Sequence, residues 1–348
     1  MSSSNAADQK RLADLDIARG LCMILVVVGH MTLEFAEFSY YIFLFHMPIY
    51  FIISGLLFRT RPDIEFALNR TRSLMIPYCS FLVIVFILDN TLTNITGIIS
   101  TLDWRTPKFD IIRMTFGGPS LVGAFTAFWF VGCLWISSII LNLILNRTGP
   151  RGWQIIAVMA LLYGLSMISR PGLMLPHSLG TAPMAIIFLW AGLVAAPYRS
   201  RRGLVILVCA AIALACMPFL GKMDMKKVQY GTVLTPLFAI SVSFCIISIC
   251  YYLSKIDAIS KPLSLIGEAS LTIMFMHVVI IIHGREFVAN KYALLALALG
   301  LPIALHWILE RSAFTRRYVL GRDDTRRSHA VATDGEPLQA NRKSAAVT

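Results

Sequence analysis

Three histidines and one arginine stand in stretches otherwise too apolar to welcome them. In LDIARGLCMILVVVGHMTLEF, Arg19 precedes His30 by eleven residues. At about 100° per residue, eleven steps return to the same helix face, displaced by ~16 Å along the axis. Arg19 then sits at a membrane mouth and His30 deep in the bilayer, aimed the same way. An imidazole titrates near neutrality and can take and return a proton, so intramembrane histidines are functional candidates by default. The pair also fits a plainer reading, with Arg19 a snorkelling anchor and His30 an interhelical hydrogen-bonder. Glu34 follows His30 by one turn, placed either to orient the imidazole or hold its proton, or to face the interface.

The next apolar stretch, YYIFLFHMPIYFIISGLLFR, carries His46 about eight residues from its outer end, or ~12 Å down, close to the depth of His30. Pro48 and the Ser54–Gly55 pair read as a kink and a close backbone approach, or as core packing. In LSLIGEASLTIMFMHVVIIIH, His277 lies about as far from the inner end as His30 does. Glu268, one or two turns inside that stretch, is a candidate partner for Arg19. His283 and His306 fall near helix ends and read as structural. The three histidines come from three helices and lack the spacing of a zinc triad, so no metal is expected. Arg59, Arg61, Arg70 and Arg72 cluster in one loop, where they bias topology or, with planar forks suited to phosphate, bind an anion.

Positioning these groups takes membrane helices. Of 348 residues, 57% are hydrophobic and 14% charged, against roughly 45–50% and about 25% in soluble domains. That excludes disorder, a collagen-like repeat and a soluble nucleic-acid module. Ten apolar runs approach the roughly 17–25 residues of a spanning helix: 16–36, 39–58, 73–92, 121–145, 153–169, 181–197, 203–220, 232–253, 264–283 and 292–309. The fold predicted is an all-α integral membrane bundle of about ten helices. Residues 1–15 form an N-terminal tail, 16–309 the membrane domain, and 310–348 a basic, disordered tail. With both termini cytoplasmic, 22 of the 31 Lys and Arg fall inside and 9 outside, the bias that orients membrane proteins. The net charge of +12 is thereby explained without nucleic acid. The seven cysteines sit singly in apolar runs with no C-x-x-C, as small core residues.

Arg19 and His30 in the segment ending VVVGH resemble the first helix of the acyltransferase-3 family of membrane acyltransferases. FHMPIYFIISGLLF (45–58) resembles its second helix, closest to the branch related to fucose 4-O-acetylase. RTRSLMIPY (70–78), FWF (128–130), FLWAGL (188–193) and IGEASLTIMFMH (266–277) extend the similarity over about 12 to 310. The resemblance implies transfer of an acyl group, usually acetyl from acetyl-CoA, to a carbohydrate hydroxyl. It implies a bacterial cytoplasmic (inner) membrane location and carries the basic/His pair to Arg19 and His30. Where the family often shows R-x-x-R, this chain has Arg70-Thr71-Arg72, leaving either arginine for the donor's phosphates.

Expected roles follow. His30 is the general base with Glu34 its partner, and an acyl-histidine relay is a variant. Arg19, Arg59, Arg61, Arg70 and Arg72 hold the acyl-CoA, while His46, Ser54, His277, Glu268 and Trp129 hold the acceptor, with stabilising the oxyanion the other role open to His46 and His277. The bilayer, acyl-CoA and a polysaccharide, oligosaccharide or lipid-linked glycan are the partners. The alternative is a transporter of a polysaccharide or lipid-linked sugar, with the same polar groups as its pathway; a non-catalytic scaffold is a third reading.

Overall fold

Lipid offers a backbone no water to bond, so each crossing segment must satisfy its own N–H and C=O groups, as a helix does. The computed structural model describes residues 2–100, 102, 107–169 and 175–322, and nearly all of its regular structure is helical. Arg105, Arg170 and everything beyond 322 lie outside the described residues, as do the side chains of 2–13, 107–111 and 199.

Helix α1 (Ser2–His30) ends in a turn, and α2 (Ala36–Phe43) is separated by two residues from α3 (His46–Leu56). Then come α4 (Asp63–Thr96), α5 (Pro107–Phe116), α6 (Phe128–Thr148), α7 (Trp153–Ile168), α8 (Ala182–Ala195) and α9 (Arg202–Cys216). An antiparallel hairpin of β1 (Met223–Asp224) and β2 (Gln229–Tyr230) precedes α10 (Thr235–Leu253). Helices α11 (Asp257–Glu268) and α12 (Ser270–Gly284) meet at a 77° bend, and α13 (Lys291–Arg311) and α14 (Ala313–Tyr318) are the last among the described residues.

Among the described residues, seven helical segments are long and apolar enough to cross a bilayer, and the bent α11–α12 pair makes an eighth if counted as one span. The sequence predicts ten. The difference lies in α7, which has 16 residues, and in α1, whose Asp14, Asp16 and Arg19 leave a short apolar stretch before His30. The chain is an all-α membrane protein with fewer clear spans than its hydropathy predicts.

The stretch read as an N-terminal tail is helical and continuous with the rest of α1, which begins at Ser2. Residues 310–322 are ordered against the bundle: the Ser80 hydroxyl donates to the Tyr318 carbonyl at 2.9 Å, and Arg322 reaches Glu310 and the Glu268 carbonyl.

Helices α1, α3, α6, α8 and α12 supply much of the buried core, while α9 buries little beyond Arg202 and Cys216. Helix α3 packs on α8, and α1 on α11. The α3–α8 approach needs glycine on both sides: a Cβ at Gly55 would fall 2.0 Å from the Leu189 carbonyl oxygen, and one at Gly192 2.1 Å from that of Ile52. Small residues permit such contact in membranes, where little else draws helices together. Gly55→Ala is expected to destabilise the bundle by about 1–3 kcal/mol. Gly300, with open space where a Cβ would go, should tolerate alanine. Melting temperatures of the two variants in detergent check this pair.

Helices α4 and α12 share a buried polar network. His283 Nε2 meets Asp89 Oδ1 at 2.8 Å and its Nδ1 meets Thr96 Oγ1 at 2.9 Å, while the Ser100 hydroxyl donates to the other Asp89 oxygen.

Candidate active site

Helix α1 stops at His30 and α3 starts at His46, so both rings sit at helix ends. The spacing predicts uninterrupted spans through both. Pro48, lacking the N–H that a helix interior needs, falls instead in the first turn of α3, where that loss is tolerated. His277 lies within α12.

The three rings gather. The His30 and His277 ring centroids are 5.0 Å apart, and Phe43 packs 6.1 Å from His30 and 4.8 Å from His46. His46 Nδ1 donates to the Ile42 carbonyl at 2.9 Å, and His277 Nδ1 to that of Ile273 at 2.8 Å. A carbonyl only accepts, so each bond fixes the hydrogen on Nδ1 and leaves Nε2 with a lone pair in the neutral ring. His277 is fully buried, and its Nε2 has no partner.

His30 and His46 face a cavity of about 420 Å³ whose walls include Trp129, Thr126, Asp224 and Lys226. That volume suits a small-molecule site. The predicted Trp129 thus reaches the cavity, and His277 lies directly behind His30. Ser54 is half-buried on α3 and does not line it.

Glu34 is placed otherwise than predicted. Because α1 ends at His30, the one-turn relation fails, and the Glu34 carboxylate instead accepts both arms of Arg285, at 2.7 and 3.0 Å. Those hydrogen bonds hold its carboxyl below the usual range, so at neutral pH it holds no proton for His30.

Arg19 stands on α1, Arg59 and Arg61 in the connection after α3, and Arg70 and Arg72 on α4, and none of the five lines the cavity. Arg19 bonds Asp16 at 2.7 Å rather than Glu268, because Asp16 is one turn back on the same helix. Glu268 ends α11, beside a shallow surface pocket. Arg59 and Arg72 are exposed. Arg61 pairs with Glu65 at 2.7 Å. Arg70 alone of the loop cluster turns between α4 and α6, where it donates to the Ser138 hydroxyl at 3.2 Å and its Nε is buried without a partner.

The sequence patterns singled out neither Lys226 nor Asp224. A signal was present: Met223, Met225, Val228 and Tyr230 give that loop an apolar content that an exposed connection does not need, and all four are buried.

A family model described as an acyltransferase domain matches residues 12–310. The chain belongs to the acyltransferase-3 family. The match is to the family as a whole, not to the branch related to fucose 4-O-acetylase. No curated protein and no solved structure matches the chain significantly. Membership makes this a membrane acyltransferase acting on hydroxyls, with an acyl donor and an acceptor to accommodate.

Proposed function

We propose that this acyltransferase moves an acyl group, acetyl foremost, from cytoplasmic acyl-CoA to a hydroxyl of a cell-surface or exported carbohydrate, with His30 as general base. One observation carries the reading: a histidine cluster beside a cavity of substrate size, in a chain of an acyltransferase family. His30 takes the acceptor's proton as its oxygen attacks the thioester carbonyl. The end of α1 presents its dipole's negative pole to a ring that gains positive charge in that step. His46, with Nε2 free to accept, orients acceptor hydroxyls, His277 backs the base from behind, and Trp129 gives a sugar ring an apolar face to pack on.

The donor's phosphates call for cations at the cytoplasmic surface. Arg70 is the best placed of the arginines, since its buried guanidinium has an N–H to spare, and Arg19 stands ~16 Å below His30 along α1. The acceptor enters through the cavity at the opposite end. The resemblance of the motifs to the acyltransferase-3 family supports both acetyl and a sugar, and a bacterial inner membrane is the matching location.

The test is transfer itself. Purified protein in liposomes, given labelled acetyl-CoA and a glycan fraction, should fix label on the glycan as an alkali-labile ester. Flux of either compound without a covalent product would overturn the reading in favour of a transporter.

A further inference from the structure

The outer wall of the cavity is a built element. Between β1 and β2 the chain turns through Met225–Lys227 and places Val228 at φ 56°, a conformation that a β-branched residue seldom adopts. The turn is tied from several sides. The Thr181 hydroxyl donates to the Met225 carbonyl at 2.8 Å, and Asp224 accepts the Lys227 backbone N–H at 3.3 Å. At the neck, the Thr235 hydroxyl oxygen accepts from Gly221 N at 3.1 Å and Thr232 N at 3.0 Å.

This frame aims one cation at the cavity. Lys226 Nζ donates to the Leu121 carbonyl at 2.7 Å and to the Thr126 hydroxyl at 2.6 Å. Both are neutral oxygens. The Asp224 carboxylate pairs instead with Lys227, at 3.6 Å. An ammonium carries three N–H groups, so these two bonds leave one for the space that Lys226 lines with His30.

We infer that Lys226 is the electrophilic group of this site, donating its third N–H to the oxyanion that forms at the acyl carbonyl. The inference rests on the acyl-transfer reading above. The acceptor oxygen bonds to the carbonyl carbon as its proton passes to His30. The carbonyl π pair moves onto oxygen, where the ammonium holds it. Collapse restores the C=O bond and breaks the C–S bond, and the thiolate leaves with the proton from His30. A donor preorganised in a water-poor site stabilises such charge far better than one that must reorganise.

Burial lowers the Lys226 ammonium from its ordinary 10.5 to about 8, with Asp224 opposing the shift and Lys227 adding to it. His30 and His46 face it across the cavity. The charged form is lost as pH rises through that value, so kcat should fall on the alkaline side near pH 8.

Three enzymes, wild type, Lys226→Met and Lys226→Arg, are compared in the liposome assay across pH. Lys226→Met is expected to lower kcat by about 10²–10³-fold, with a far smaller change in acceptor KM and no alkaline limb near pH 8. Lys226→Arg should keep more of the rate and move that limb upward, a readout that holds even if the methionine variant misfolds. A kcat for Lys226→Met within threefold of wild type, or an unmoved limb in Lys226→Arg, overturns the assignment. Failure of the wild type to transfer label would instead overturn the acyl-transfer reading.

Discussion

Replacing His30 by alanine is expected to reduce acyl transfer by at least about 10²–10⁴-fold, the range that a positioned general base contributes. The variant should still insert in the membrane and elute as wild type does, since the ring packs beside His277 and Phe43 without a hydrogen bond that the fold depends on. His46→Asn and His277→Asn are informative companions. Each keeps an amide donor at the Nδ1 position for the carbonyl of Ile42 or Ile273 but loses the basic Nε2. At His46, which lines the cavity, acceptor KM should rise more than kcat falls; at His277, which backs His30, the loss should fall on kcat. Near-normal product formation by His30→Ala would remove His30 as the base, and the family's chemistry would have to be sought elsewhere in the cavity.

The second large effect concerns stability. Asp89→Ala should destabilise the protein by about 3–5 kcal/mol, because it strands a buried partner instead of removing a pair. Asp89 and His283 have side chains 4% and 2% exposed, and Ser100 would lose one of its two acceptors, keeping the Leu102 carbonyl. Thermal melting in detergent, followed by loss of monodisperse protein, reads the effect. Replacing both residues by leucine should cost less than the sum of the single losses, since no polar group is then left unpaired. Wild-type thermostability of Asp89→Ala would show that the network carries no structural weight.

What the sequence conveyed depended on the range of the physics involved. Hydropathy is additive along the chain, so the all-α membrane class and the long apolar helices could be read from it, but not α5, α14 or the breaks at α2–α3 and α11–α12. Helical periodicity brought Arg19 and His30 to one face, and a depth argument grouped His30, His46 and His277. The break before His46 was signalled only by Pro48, which marks a disturbance without saying whether the helix kinks or ends. Glu34 was misassigned for the same reason: the one-turn rule holds only while the helix continues, and α1 stops at His30. Its true partner, Arg285, lies too far along the chain for any spacing rule. Lys226 was hidden likewise. Its role depends on a hairpin folding back over α1 and α3 and on the carbonyl of Leu121, neither of which a local pattern encodes.

The carbonyls that hold His46 and His277 lead further. Both acceptors are main-chain atoms four residues back, at Ile42 and Ile273, so the tautomers are set without help from any neighbouring side chain. The apolar part of the cavity wall is thereby left without a share in fixing those two rings. Met47, Met274 and Trp129 can be exchanged to admit a different acceptor while the His46 and His277 tautomers stay fixed. A lineage can thus diversify its acceptors by ordinary point changes in the lining, and a directed library confined to those positions should yield altered selectivity more often than dead enzyme.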